Sequence, residues 1–205
     1  VYTRQAIPEN EPYACIPHKL VITDKVCQSI LPDGSDAGLH GRPMLCSFLI
    51  HQRFVASDSS FWKPYIDILP TEFHTPLQFN EEELLILKGT PAEFAVDGRR
   101  ELYMSEYKQA LQAIPADIIP RDVLTFDSYL WAATVCSSRA FSKAVVRDNA
   151  DEHTANNEVL LPLLDMMNHY PKRRVSWITS DDGIEFVTRA RLEKGDQVYN
   201  NYGAK

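Results

Sequence analysis

Two stretches of the sequence concentrate groups that can hold or orient a reacting atom. They are Leu161-Pro162-Leu163-Leu164-Asp165-Met166-Met167-Asn168-His169 and Glu193-Lys194-Gly195-Asp196-Gln197-Val198-Tyr199-Asn200-Asn201-Tyr202-Gly203. The first brings a carboxylate, an amide and an imidazole close together, and the second places a phenol at the end of a strand-like run. A tyrosine hydroxyl is un-ionised at neutral pH, so Tyr202 can orient a neighbouring polar group without carrying charge itself. Taken alone, Asn168-His169 also fits a turn with a satisfied histidine, and Tyr202 a core or turn tyrosine. Metal chemistry is not indicated. Cys15, Cys27, Cys46 and Cys136 are scattered with no C-x-x-C pair, and His18, His40, His51, His74 and His153 show no ligand spacing.

Positioning these groups falls to the elements around them. Strand-like segments at Val1–Thr3, Tyr13–Ile16 and Leu20–Ile22 are separated by turns, and Thr23 or Asp24 caps a short helix through Ile30 before a loop over residues 32–38. From Pro43 the period is helical, with Leu45, Phe48, Leu49 and Gln52 on one face. Asn80 with Glu83 forms a capping box, and Thr90-Pro91 opens a helix that Gly98 interrupts before its apolar stripe resumes toward Pro115. A further helix runs from Thr125 to about Arg139, followed by an Asp/Asn-rich loop over residues 148–157. Residues 174–179 and 184–188 make a hairpin around Ser180–Gly183, with Gly183 suited to a positive φ. Glu193–Asp196 is another turn. The order is strands, helices, strands, which predicts an α+β fold: a β-rich domain with a large helical insertion. The boundaries are 1–42 and 146–205 for the strand-rich part and 43–145 for the insertion.

Composition narrows the function classes. The 205 residues are 44% hydrophobic and 24% charged, which excludes disorder as the main state. No apolar run reaches the roughly 18 residues of a membrane span. A net charge of −7 argues against direct nucleic-acid binding and suits a basic protein partner. The cysteine usage suits a reducing compartment, cytoplasmic or nuclear. The start at Val1 within a strand and the stop at Lys205 are read as those of a piece of a longer protein.

Together the two stretches resemble the signature motifs of SET-domain methyltransferases: Asp165-x-x-Asn168-His169 matches one, and Gly195 through Gly203 the other, with Gln197 in place of the usual acid. The helical block, with Ser60–Pro70, Leu84–Thr90 and Ser138–Phe141, is similar to the inserted region of the Rubisco large-subunit methyltransferase-like subgroup, whose targets are non-histone proteins. The resemblance spans essentially the whole chain. It implies an S-adenosylmethionine (SAM)-dependent protein-lysine methyltransferase acting on an exposed lysine of a substrate such as a ribosomal protein. It also implies site roles: Tyr202 catalytic, and Asn168, His169, Arg139, Asp165, Glu11 and Tyr13 around the cofactor, with no metal, no nucleic acid and no membrane. The family's Gly-x-Gly turn should lie just before Val1, and a substrate-binding region after Gly203.

Rival readings stand beside these. A close branch of the same family methylates histidine, and a catalytically silent SET module would only bind partners, though it would have no chemical need for Tyr202 or Asn168-His169. On residue type alone, Arg139 complements a helix dipole, Glu11 is a turn carboxylate and Lys172-Arg173-Arg174 is a solvated charge run.

Overall fold

Residues 12–17 are extended and need a partner strand, and they find it at the far end of the sequence. The computed structural model describes residues 1–31, 38–142, 158–171, 173 and 175–202. The expected loops over 32–38 and 148–157 therefore lie wholly or almost wholly outside the described residues, as do Lys172 and Arg174 of the charge run. In chain order the strands are β1 (Pro12–Pro17), β2 (Phe141–Ser142), β3 (Glu158–Val159), β4 (Asn168–His169), β5 (Val175–Thr179), β6 (Gly183–Thr188) and β7 (Tyr199–Asn200). A three-stranded antiparallel sheet has the order β1-β6-β5, and two small pairs accompany it: β2 with β3, antiparallel, and β4 with β7, parallel.

The helices are α1 (Asp24–Gln28), α2 (Arg42–Ile50), α3 (Lys63–Ile66), α4 (Glu81–Leu85), α5 (Pro91–Ala113) and α6 (Phe126–Arg139). Strands and helices thus segregate along the chain, as an α+β fold requires. The chain divides into two compact units: residues 1–23 with 139–205, and residues 24–138. The first boundary falls earlier than the 42/43 of the sequence reading, because α1 packs on α2 and so joins the helices, and the second falls at 138/139, the end of α6, instead of 145/146.

In the strand unit, Ile16, Val159, Leu161, Leu164, Ile184, Phe186 and Val198 form one apolar cluster. Full burial of a side chain such as Phe186 contributes about 1.5–3 kcal/mol. Three sequence expectations change here. Val1–Thr3 contributes a single bridge, Tyr2 to Gln197, and Leu20–Ile22 is the end of a 3-10 turn followed by one bridge from Ile22 to Leu160. Gly183 has no positive φ. It lies opposite Pro17 in the β1–β6 register, where a Cβ would stand 2.3 Å from the Ile16 carbonyl oxygen. Close backbone approach, not turn geometry, requires glycine there.

In the helical unit the capping box is present: the Asn80 side chain accepts from the Glu83 N–H, and Glu83 accepts from the Asn80 N–H, both at 2.9 Å. Pro91 sits in the first turn of α5, but the Thr90 hydroxyl turns back to the Leu87 carbonyl instead of capping. The helix also runs unbroken through Gly98, which costs only about 1 kcal/mol against alanine. All nine residues of α2 are buried, not one face, and a π-helical segment, His51–Ala56, extends it. That burial includes Arg42, whose Nη1 donates to Glu106 Oε1 at 3.2 Å, while the Tyr129 hydroxyl donates to Glu106 Oε2 at 3.1 Å. Among the described residues no helix is long and apolar enough to cross a membrane.

Candidate active site

The site grows from the parallel pair β4–β7, which lays Asn168 against Tyr199 and His169 against Asn200. Three features bring the chain into this pairing. Leu163 takes a positive φ of 78°, turning the backbone into a 3-10 turn over Leu164–Met166. The buried Leu164 and Met167 anchor that turn in the apolar cluster. Downstream, Gly195 at φ 90° lets its N–H donate to the Thr3 carbonyl at 3.0 Å, fixing the approach to β7.

Arg139, the last residue of α6, reaches the same turn. Its Nη1 donates to the Asp165 carbonyl at 3.1 Å and to Asp165 Oδ2 at 3.3 Å, and lies 3.4 Å from Met166 Sδ. The Asp165 side chain is fully buried and that of Arg139 only 18% exposed, so this ion pair is far less screened than a surface one. It clamps the segment that carries Asn168 and His169.

Tyr202 closes the group. Its backbone N–H donates to His169 Nδ1 at 3.0 Å, which leaves the proton of neutral His169 on Nε2. The two rings stack with centroids 5.0 Å apart, inclined by 30°. The Tyr202 hydroxyl donates to the Met167 carbonyl. Burial raises the phenol's pKa above its usual value, with the Arg139 guanidinium pulling it down and the Asp165 carboxylate pushing it up. The hydroxyl therefore keeps its proton at neutral pH, with its oxygen lone pairs still able to accept.

Asn168, His169, Arg139, Asp165 and Tyr202 are thus gathered in one place, although a hairpin separates them in sequence. Glu11 and Tyr13 are not joined to that group by any hydrogen bond, ion pair or ring contact among the described residues. Glu11 is exposed just before β1 and accepts the Thr188 N–H at 3.1 Å through its backbone carbonyl. Tyr13, on β1, packs edge-on against Phe186 at 6.2 Å, and burial pushes its phenol pKa upward, with Arg173 opposing.

Three participants were given no role by the motifs. The Met167 carbonyl is a backbone group, invisible to residue type. Asn201 Nδ2 donates to the Arg173 carbonyl at 3.2 Å, tying the end of β7 to the turn after His169. Asn200 is fully buried; its Oδ1 accepts the Asn201 N–H at 2.8 Å. The doubled asparagine between two tyrosines was the available hint. Among the described residues no group of three or more His, Cys, Asp or Glu side chains is placed to hold a metal ion.

The SET domain family model matches residues 1–203. The ribosomal lysine N-methyltransferase set10 of Schizosaccharomyces pombe is 36% identical over 164 residues, covering 78% of this chain and 28% of that protein. The actin-histidine N-methyltransferase of Rattus norvegicus is 31% identical over 210 residues, covering 97% of this chain and 34% of that protein. This chain therefore spans about a third of the length of the curated relatives it matches. Among solved structures, the SET domain of LSMT bound to lysine and AdoHcy aligns with a TM-score of 0.74 at 25% identity, over 98% of this chain and 46% of that one. Rubisco LSMT bound to AdoMet aligns with a TM-score of 0.70 at 25% identity, covering 98% of this chain and 45% of that one.

Proposed function

This chain belongs to the SET-domain family, and on that premise we propose that it is the catalytic part of a SAM-dependent protein methyltransferase whose target is a lysine of a ribosomal protein. The observation that carries the proposal is the convergence of Tyr202, His169 and the Arg139–Asp165 pair on the β4–β7 crossing. The 36% identity to a ribosomal lysine methyltransferase supports the substrate.

The residues present fit SAM. Asn168 and His169 are exposed polar side chains standing together on β4, and the Tyr13 hydroxyl is a buried polar atom without a partner among the described residues. Asn168, His169 and Tyr13 would hold the cofactor, with Glu11 at its margin and the Arg139–Asp165 clamp supporting the segment. When bound, SAM supplies an electrophilic methyl group on a positively charged sulfur.

What the chain's own residues do follows from their chemistry. An in-line displacement asks chiefly for alignment in a site from which water is excluded. The Tyr202 hydroxyl, committed as a donor to the Met167 carbonyl, presents an oxygen that accepts from an amine and holds its lone pair toward the methyl. A lysine of ordinary pKa 10.4 needs about 4–5 kcal/mol to present that lone pair at pH 7. Desolvation in the site and a nearby positive charge both lower the requirement.

The actin-histidine relatives favour a second reading, in which the target is histidine. Histidine, with an ordinary pKa of about 6.5, is already mostly neutral at pH 7. Incubating the full-length protein with isotope-labelled SAM and, separately, total ribosomal protein and actin, then mapping the labelled residue, decides between them. Label on a ribosomal lysine is the expected result, and label on histidine alone would replace it. A ribosomal target puts the protein in the cytoplasm or nucleus, which cell fractionation checks.

A further inference from the structure

The two halves of α5 differ. Its C-terminal half buries Tyr103, Glu106 and Ala110 along one stripe, while no residue from 91 to 102 is buried. Most helical stability in proteins comes from a packed face, so a half-helix without one depends on local devices. Here they are Pro91 in the first turn and Glu93, whose carboxylate accepts the Gly89 N–H at 2.7 Å. The α4 capping box fixes the preceding turn in the same way.

From this corner project three large apolar side chains: Leu85 is 65% exposed, Ile86 78% and Phe94 75%. The three fall within ten residues of one another, on either side of one turn, and exposed apolar side chains that lie near one another, unlike single ones, mark interaction sites. Residues 81–101 carry six carboxylates against three cations. At about 100° per residue, Phe94, Asp97 and Glu101 share one face of α5. A shallow groove along that flank is lined by Asp97, Glu101, Met104 and Ser105 together with Arg100 and Lys108, so the excess of negative charge comes from the wider segment and not from the groove alone. Glu93, Asp97 and Glu101 recur at i, i+4 and i+8, a spacing at which like charges destabilise a helix. Among the described residues no ion pair engages Glu81, Glu82, Asp97 or Glu101.

We propose that this apolar and acidic strip is a docking surface for a basic, amphipathic segment of the protein substrate. Apolar side chains of that segment seat on Leu85, Ile86 and Phe94, and its lysines or arginines reach Glu82, Asp97 and Glu101. The proposal rests on the ribosomal-protein reading above, since proteins that bind RNA phosphates are rich in Lys and Arg and complement this strip.

The test uses the full-length protein with total ribosomal protein stripped from purified ribosomes, and with a short peptide spanning the labelled residue. Two variants are compared with wild type: Glu82→Lys/Asp97→Lys/Glu101→Lys, and Leu85→Ser/Ile86→Ser/Phe94→Ser. Each is expected to raise KM for the whole substrate protein about tenfold, leaving kcat and the short-peptide KM unchanged. The wild-type KM should also climb with salt more steeply than that of the charge-reversed variant. Unchanged KM in both variants, or an equal rise for the short peptide, would overturn the dock while leaving the substrate reading intact. A lowered melting temperature in both variants would overturn it too, because the strip would then be covered by the protein's own chain. No label on any ribosomal protein from the wild type would remove the substrate reading and the dock with it.

Discussion

The two units of this chain solve different problems. The helical unit, residues 24–138, is continuous in sequence. Its elements are started by residues beside them: Asn80 with Glu83, Pro91 at the head of α5, and Thr125 with Ser128 at the head of α6. The strand unit joins residues 1–23 to 139–205, and its pairings link the ends of the chain, with β1 on β6 and Thr3 on Gly195. The gathered candidate site residues all belong to the strand unit. Chemistry that needs several side chains within hydrogen-bonding distance is built where remote segments cross, because crossing fixes groups relative to one another at many points. The helical unit contributes buried packing and, in α4 and the first half of α5, exposed surface.

The sharpest way to break this contrast is to remove the buried charge partner in the helical unit. Glu106→Gln takes the carboxylate away from Arg42, whose side chain is only 10% exposed, and should cost about 3–5 kcal/mol in a denaturant titration. A loss below about 1 kcal/mol would mean that the pair is solvated and the unit is held by packing alone.

In the strand unit the expected loss is in rate, not stability. Tyr202→Phe should lower single-turnover methyl transfer by about a hundredfold, or about 2.7 kcal/mol in the barrier, with SAM binding and the melting temperature nearly unchanged. The hydroxyl sits at a strand end on one backbone carbonyl, so its removal disturbs alignment more than packing. A collapsed melting temperature would move Tyr202 from the chemistry to the fold.

Two glycines sharpen the comparison further. Gly183→Ala should destabilise by about 1–3 kcal/mol, because the Ile16 backbone must move to admit a Cβ. Gly98→Ala meets nothing within 4 Å and should stabilise α5 by about 1 kcal/mol. Equal effects at the two positions would contradict the assignment of one to close approach and the other to an open helix.

The smallest expected effect is a pH dependence in the helical unit. Burial lowers the pKa of His51 below its usual 6.5, and its Nδ1 accepts from Gln52 Nε2 at 3.1 Å, so the fold favours the neutral ring. Its contribution is complete above about pH 6.5 and is lost as pH falls from there through the folded-state value. Melting curves from pH 7.5 to 5.5 should therefore decline slightly more in wild type than in His51→Asn, which keeps an acceptor but does not titrate.

Much of this was written in local residue patterns. The Asn80–Glu83 box, the Pro91 start, the helix from Thr125 and the hairpin around Ser180–Gly183 depend on neighbours within a few positions, where propensity and side-chain hydrogen bonding dominate. The pairing of Asp165-x-x-Asn168-His169 with Tyr202 was legible too, though only as a resemblance between motifs. Tertiary structure alone decided the rest. It drew Leu20–Ile22 out of a regular strand, buried α2 on every side, and explained Gly183 by the Ile16 carbonyl instead of a turn. It also set the Tyr202 hydroxyl on the Met167 carbonyl and left Glu11, just before β1, and Tyr13, on β1, unjoined to that group. The physical reason is common to all of these. They turn on backbone atoms and on contacts between distant segments, and backbone groups are the same in every residue, so their partners are chosen only when the chain closes on itself.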